Sequence, residues 1–350
     1  MSQSHEQFLA KFESSRQHLH EAEKDEILLI ENHRRFVMFP IKYHEIWAAY
    51  KKVEASFWTA EEIELSKDVQ DLENSDKITK EQKEFLSKFL AILTLNENVV
   101  NNHLIEKFSA ELQNPEGKSF YGFQIMMENI YDEVYSFVID AYFNGQENMT
   151  ETFNSIKEDT HLNAKIDFIN RWIKSQNSLY GERLVAFAAK EAIFQSGAHA
   201  AIFNLGQQGL IQGFNKANTN IFRDKGNYTD FSCLLFAHLK NKPDQEIITK
   251  IITEAVDIEK DVLTNTLNIK DSGLDPKQVF QYVEYLADSL LLSFGAEKAY
   301  NVTQPFEFME QTTSIGKSRF FEKQVSDFMK ANQPTQQVSQ SQAFNFNESF

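Results

Sequence analysis

Cysteine is nearly absent from this chain: Cys233 is the one thiol in 350 residues. A lone cysteine excludes an internal disulfide, a thiolate zinc site and an iron–sulfur cluster held by this chain alone. Proline and glycine are sparse too, at six and twelve, far fewer than the turns of an all-β chain would require. Positive charge is in deficit, since 35 Lys and Arg against 51 Asp and Glu leave a formal net charge of -16. That balance argues against nucleic acid as a partner, because phosphate binding needs clustered Lys and Arg. No apolar run reaches the roughly 20 residues that span a bilayer, and the opening MSQSHEQFLAKFESS has no apolar signal-peptide core. The expectation is a cytoplasmic protein, with the nucleus as an alternative compartment and no membrane partner.

What is present is hydrophobic and aromatic mass: 42% hydrophobic residues, 13% aromatics and 31 Phe. Long stretches without Gly or Pro, packed with large rings, predict an all-α protein with a sizeable core. Composition does not shift between Glu23 and Asn332, so the organisation expected is a polar N-terminal arm over 1–27, one helical domain over 28–332 and a tail over 333–350. The arm reads as a loosely held amphipathic helix. The tail, QPTQQVSQSQAFNFNESF from Gln333 onward, is rich in Gln and Ser and reads as disordered. Helices are predicted over about 43–54, 79–112, 115–143, 154–175, 181–205, 214–240, 243–265 and 276–293, with Thr59 opening another and a small hairpin near Gly316.

Two stretches carry the chemistry. In YGFQIMMENIYDEVY, Glu128, Tyr131 and Tyr135 fall at i, i+3 and i+7 and share one helix face. In RDKGNYTDF, Lys225 and Tyr228 repeat the i, i+3 spacing that a Glu-x-x-His pair would use in a di-metal helix bundle. Both have the spacing of ligands without the ligands. A third stretch, GERLVAFAAKEAIFQSGAHAAIFNL, is apolar almost all round yet interrupted by Lys190 and Glu191. A buried charge there is costly unless paired or metal-bound, which makes Glu191 a site candidate.

These segments, together with RRFVMFPIKYHEIWAAYKKVEASFWTAEEIELSKD, PFEFME and FFEKQVSDF, resemble the small subunit of class I ribonucleotide reductase over nearly the whole chain. The departures resemble those of the family's metal-site-degenerate accessory paralogue in budding yeasts, which pairs with a metal-bearing sister chain. The resemblance implies a ferritin-like helical bundle in which active members hold two irons and a tyrosyl radical. The six positions matching the iron ligands are Glu97, Glu128, Tyr131, Glu191, Lys225 and Tyr228. Glu128 and Glu191 keep the family's residue, Glu97 stands where Asp is usual, both tyrosines replace histidines and Lys225 replaces a glutamate. Tyr135 matches the radical tyrosine, and Trp58, Asp224 and Phe328 match the radical relay, the last without its phenol. The ending resembles the peptide that docks on the large catalytic subunit, with Phe344, Phe346 and Phe350 as apolar anchors and Glu348 as an added charge.

The replacements can be judged chemically. A phenol must lose a proton of pKa about 10 before it binds metal well, whereas neutral imidazole binds near pH 7. An ammonium repels a cation and offers no lone pair. Lys225 is therefore expected to form a buried ion pair with Glu128, Glu191 or Glu97 in place of metal, with at least one of these glutamates raised in pKa. The implied function is a noncatalytic accessory subunit of ribonucleoside-diphosphate reductase without metal or other cofactor of its own. It would pair with a homologue bearing the di-iron centre and tyrosyl radical, stabilise that partner, support its cofactor assembly, and dock on the large subunit. The alternatives are an active subunit with unusual ligation by Glu97, Glu128 and Glu191, and a scaffold outside the reductase.

Overall fold

The computed structural model describes residues 5–74 and 76–309, with side chains for all but 96–103 and 146. Among the described residues there is no strand. The hairpin expected near Gly316, Phe328 and the tail from 333 lie outside the described residues.

Two short helices open the chain, α1 (His5–Leu9) and α2 (Glu13–Glu23), followed by α3 (His44–Glu54) and α4 (Ser66–Glu73). Then come α5 (Lys80–Ile92), α6 (Asn98–Glu111), α7 (Pro115–Phe143), α8 (Thr150–Glu158), α9 (Thr160–Ile169) and α10 (Tyr180–Ile193). The order closes with α11 (Ser196–Gln207), α12 (Gln212–His238), α13 (Gln245–Asn265) and α14 (Pro276–Ser293). Helix α10 is the centre of the bundle: Leu184 to Ala189 are fully buried, and it packs on α12, α13 and α14 while α7 packs on α3 and α6.

Local chemistry explains the boundaries. The Asn114 side chain accepts from Gly117 N at 2.7 Å and Pro115 occupies the first turn, so α7 starts with a satisfied cap. It ends 29 residues later at Asn144, whose φ of +54° is the left-handed conformation that stops a helix. Helix α12 is capped in trans. Asp68 of α4 accepts from Gly213 N and Phe214 N at 2.9 and 2.8 Å and from Tyr142 Oη at 2.7 Å, tying α4, α7 and α12 together. Gly213 is needed there, because a Cβ would meet Glu64 O at 2.1 Å.

Three expected helices are divided. The span 79–112 contains a π-helical turn at Leu93–Glu97 between α5 and α6, the kind of wide turn often found at functional sites. The span 154–175 breaks at Asp159, which accepts from His161 N at 2.7 Å and Leu162 N at 3.3 Å and so caps a new helix, and a second π-turn follows at Asn170–Lys174. The span 181–205 breaks at Gln195, which sits at φ +63° between α10 and α11. Thr59 does open a turn with a capping box, but a 3-10 turn over Ala60–Glu62; the helix α4 begins only at Ser66.

The N-terminal arm is helical and docked more firmly than its composition implied. Arg16 makes paired bonds of 2.8 and 2.9 Å to the buried Glu182, which also accepts from Leu179 N at 3.0 Å at the start of α10. Glu23 accepts from Tyr180 N, and Glu26 accepts from Lys240 N and Asn241 N at 3.0 and 2.8 Å. The arm therefore holds the entry of α10 and the exit of α12, two of the three helices that carry the site.

Candidate functional site

Helix α7 delivers Glu128, Tyr131 and Tyr135 on one buried face, at 3%, 2% and 1% exposure. Helix α12 delivers Asp224, Lys225 and Tyr228, and α10 delivers Glu191; all are buried in the same bundle interior. Trp58, from the loop after α3, is buried and stacks on Tyr131 with ring centres 5.9 Å apart. The backbone of Glu97 lies in the π-turn, while its side chain is outside the description.

A hydrogen-bonded chain joins four of these residues. Asp224 Oδ2 accepts from Trp58 Nε1 at 2.8 Å and from Tyr131 Oη at 3.0 Å. Its other oxygen accepts from Arg223 Nε and Nη2 at 3.1 and 3.0 Å, and Arg223 also reaches Ser56 O at 3.0 Å. Tyr131 and Tyr228 are 2.8 Å apart. A phenol has one proton, and that of Tyr131 goes to Asp224, so Tyr228 is the donor to Tyr131. The relay positions Trp58, Asp224 and Tyr131 are thus geometrically continuous, with Arg223 as a partner that spacing alone did not single out.

Beside this chain lies an ion-pair cluster. Lys225 Nζ stands 3.5 Å from Glu191 Oε2, which is one of its three expected partners. Lys190 Nζ lies 2.8 Å from Glu191 Oε1. Lys190 was not expected to join the site; the signal was a charged residue in an otherwise apolar helix.

Electrostatics follow from burial and these pairings. Burial pushes Tyr131 and Tyr228 well above the ordinary phenol range, reinforced for Tyr131 by Tyr228, Asp224 and Glu128 and for Tyr228 by Asp224 and Glu128. Both phenols stay protonated. Burial also raises Asp224, against the opposing pull of Arg223, Trp58 and Tyr131. Glu191 behaves differently: burial pushes it up, but the ammoniums of Lys190 and Lys225 outweigh that and hold it below the ordinary value. The expectation of a raised glutamate is not met at Glu191, because the expected charge balance left out Lys190.

This donor set does not suit a pair of divalent metals. Two protonated phenols bonded to each other offer weak oxygen donors, and one of the carboxylates already engages two ammoniums. Among the described residues no three His, Cys, Asp or Glu side chains are grouped to hold an ion, and no helix is long and apolar enough to cross a membrane.

Comparison with known proteins places this geometry. Residues 35–305 match the sequence profile of a family described as Ribonucleotide reductase, small chain. The ribonucleoside-diphosphate reductase small chain 2 of Saccharomyces cerevisiae is 56% identical over 348 residues, covering 99% of this chain and 100% of the relative. Small chain 1 of the same organism is 47% identical over 350 residues, covering 100% of this chain and 87% of the relative. The solved homodimer of ribonucleotide reductase Rnr4 from Saccharomyces cerevisiae superposes with a TM-score of 0.85 at 57% identity, covering 93% of this chain and 100% of that one.

Proposed function

From the premise that the chain belongs to the ribonucleotide reductase small-chain family, we propose that it is the noncatalytic small subunit of ribonucleoside-diphosphate reductase. Its fold is the ferritin-like bundle of that family, and its place is in the enzyme that reduces ribonucleotides to deoxyribonucleotides. In this reading it holds no di-iron centre and forms no radical at Tyr135. It pairs with a metal-bearing homologous small chain, stabilises that partner and supports its cofactor assembly. Its ending docks on the large subunit through Phe344, Phe346, Glu348 and Phe350. It works in the cytoplasm or the nucleus.

The observation that carries this reading is the ammonium of Lys225 at 3.5 Å from Glu191, beside two protonated phenols bonded to each other at 2.8 Å. The cation and the phenols occupy positions that the family gives to metal ligands. Trp58, Asp224 and Tyr131 keep a connected path, but with nothing to oxidise Tyr135 the path has no radical to carry, since the cofactor supplies that chemistry. A subunit retained without the chemistry needs a sister chain that has it.

The test is mixing. The chain is combined with a metal-bearing small chain, loaded anaerobically with ferrous iron and exposed to oxygen. A one-to-one complex with more tyrosyl radical than the sister chain gives alone supports the reading. Failure to associate, or no gain in radical, removes the accessory role.

A further inference from the structure

Lys190 is the residue at this centre that no spacing argument explains. It stands in α10, directly before Glu191, where every residue from Leu184 to Ala189 is fully buried. Its own side chain is 6% exposed and that of Glu191 0%. A buried ammonium in an apolar helix persists only where it is paired. Its nitrogen lies 2.8 Å from Glu191 Oε1 and 5.6 Å from the centre of the Phe187 ring, so both its contacts belong to its own helix. Lys225, from α12, approaches the other oxygen, Oε2, at 3.5 Å.

The two oxygens of Glu191 thus each face a different ammonium, in the way that a bridging carboxylate faces two metals. We infer that Lys190 is a second positioning cation of the degenerate centre, which with Lys225 replaces metal charge and by itself keeps divalent ions out. This rests on the metal-free reading of the centre. Lys225 alone removes one ligand and adds one charge. Lys190 removes no ligand position, but it occupies the oxygen that a metal would need and places a like charge within a few ångströms of it. Restoring the ligands is then insufficient while Lys190 remains.

The experiment restores the ligand types with Tyr131→His, Tyr228→His and Lys225→Glu in the full-length chain, and titrates cobalt(II) by its visible absorption. Three versions are compared: Lys190 kept, Lys190→Met and Lys190→Arg. Lys190→Met should tighten cobalt binding by at least about tenfold, since a unit charge at this range and a screened interior is worth that much, whereas Lys190→Arg should leave binding weak. Equal affinity in all three overturns the role of Lys190 and leaves the metal-free reading standing. Stoichiometric cobalt in the unaltered chain overturns the metal-free reading itself. If the ligand-restored chains do not fold, single substitutions in the unaltered background decide. Lys190→Met should lower the thermal midpoint, and adding Glu191→Gln should recover part of the loss. A Lys190→Met chain as stable as the parent overturns the inference.

Discussion

Replacing each phenol of the Tyr131–Tyr228 pair by phenylalanine tests the direction of the hydrogen-bond chain. Tyr131 donates to Asp224 at 3.0 Å and accepts from Tyr228 at 2.8 Å. Tyr131→Phe removes both bonds and strands the fully buried Tyr228 hydroxyl without its acceptor. Tyr228→Phe removes only the bond between the neutral groups, and Tyr131 keeps its carboxylate. A neutral bond contributes about 1 kcal/mol, a bond to a charged group about 1.5–3, and a stranded buried donor costs about 1–3. Tyr131→Phe should therefore destabilise by about 4 kcal/mol and Tyr228→Phe by about 1 kcal/mol. On the Tyr131→Phe background the Tyr228 hydroxyl is already a liability, so removing it should be neutral or stabilising, a non-additivity expected of groups in contact. Urea denaturation of the four full-length chains, followed by far-ultraviolet circular dichroism, measures all three steps. Equal or reversed single effects, or simple additivity, would refute the assigned direction.

The tertiary contacts that position the site should be equally measurable. Arg16→Ala breaks the paired bonds to Glu182 at 2.8 and 2.9 Å, whose carboxylate is fully buried. It should cost about 2–4 kcal/mol by thermal denaturation, and a loss below about 0.5 kcal/mol would mean the arm is not anchored there. Asp68→Ala removes the acceptor of Gly213 N, Phe214 N and Tyr142 Oη; a loss of about 3 kcal/mol is expected, with Asp68→Asn intermediate. Glu191 has a depressed folded pKa, so its stabilisation is complete above the ordinary carboxylate value of about 4.3 and is lost as pH falls through the folded value. The midpoint of Glu191→Gln should therefore fall less steeply than the parent's on acidification. Asp224, raised by burial, has the opposite sign: acidification through its folded value favours the folded state, and Asp224→Asn removes that gain.

Much of this architecture is legible in the sequence because it depends on periodicity. Glu128, Tyr131 and Tyr135 share a face at any helical geometry, and α14 needs only its Pro276 start and its apolar stripe. What periodicity does not encode is where a helix is interrupted by tertiary demand. The wide turn at Leu93–Glu97 carries no Gly or Pro to announce it, and at the other break the left-handed conformation falls on Gln195 and not on the nearby Gly197. Caps supplied from elsewhere in the chain are equally silent, as with Asp68 on α12 and Glu26 beyond its far end.

The site shows the same division. Lys225 and the two tyrosines are identified by spacing and resemblance, because they occupy positions where something else is expected. Lys190 occupies no such position; as a charge in an apolar helix it is conspicuous in the sequence, but its partner is given by the 2.8 Å contact with Glu191. A charge balance over the ligand positions alone therefore leaves Glu191 one partner short, because Lys190 is not among those positions.

The most direct test of the central claim is the metal and radical content of the isolated full-length chain. The purified protein is loaded anaerobically with ferrous iron, exposed to oxygen, and analysed for bound iron and by electron paramagnetic resonance. Less than about a tenth of an iron per chain and no tyrosyl signal is the predicted result, because protonated phenols and ammoniums are poor donors to a hard cation. Two irons per chain with a radical would contradict the account and make Tyr131, Lys225 and Tyr228 members of a working centre.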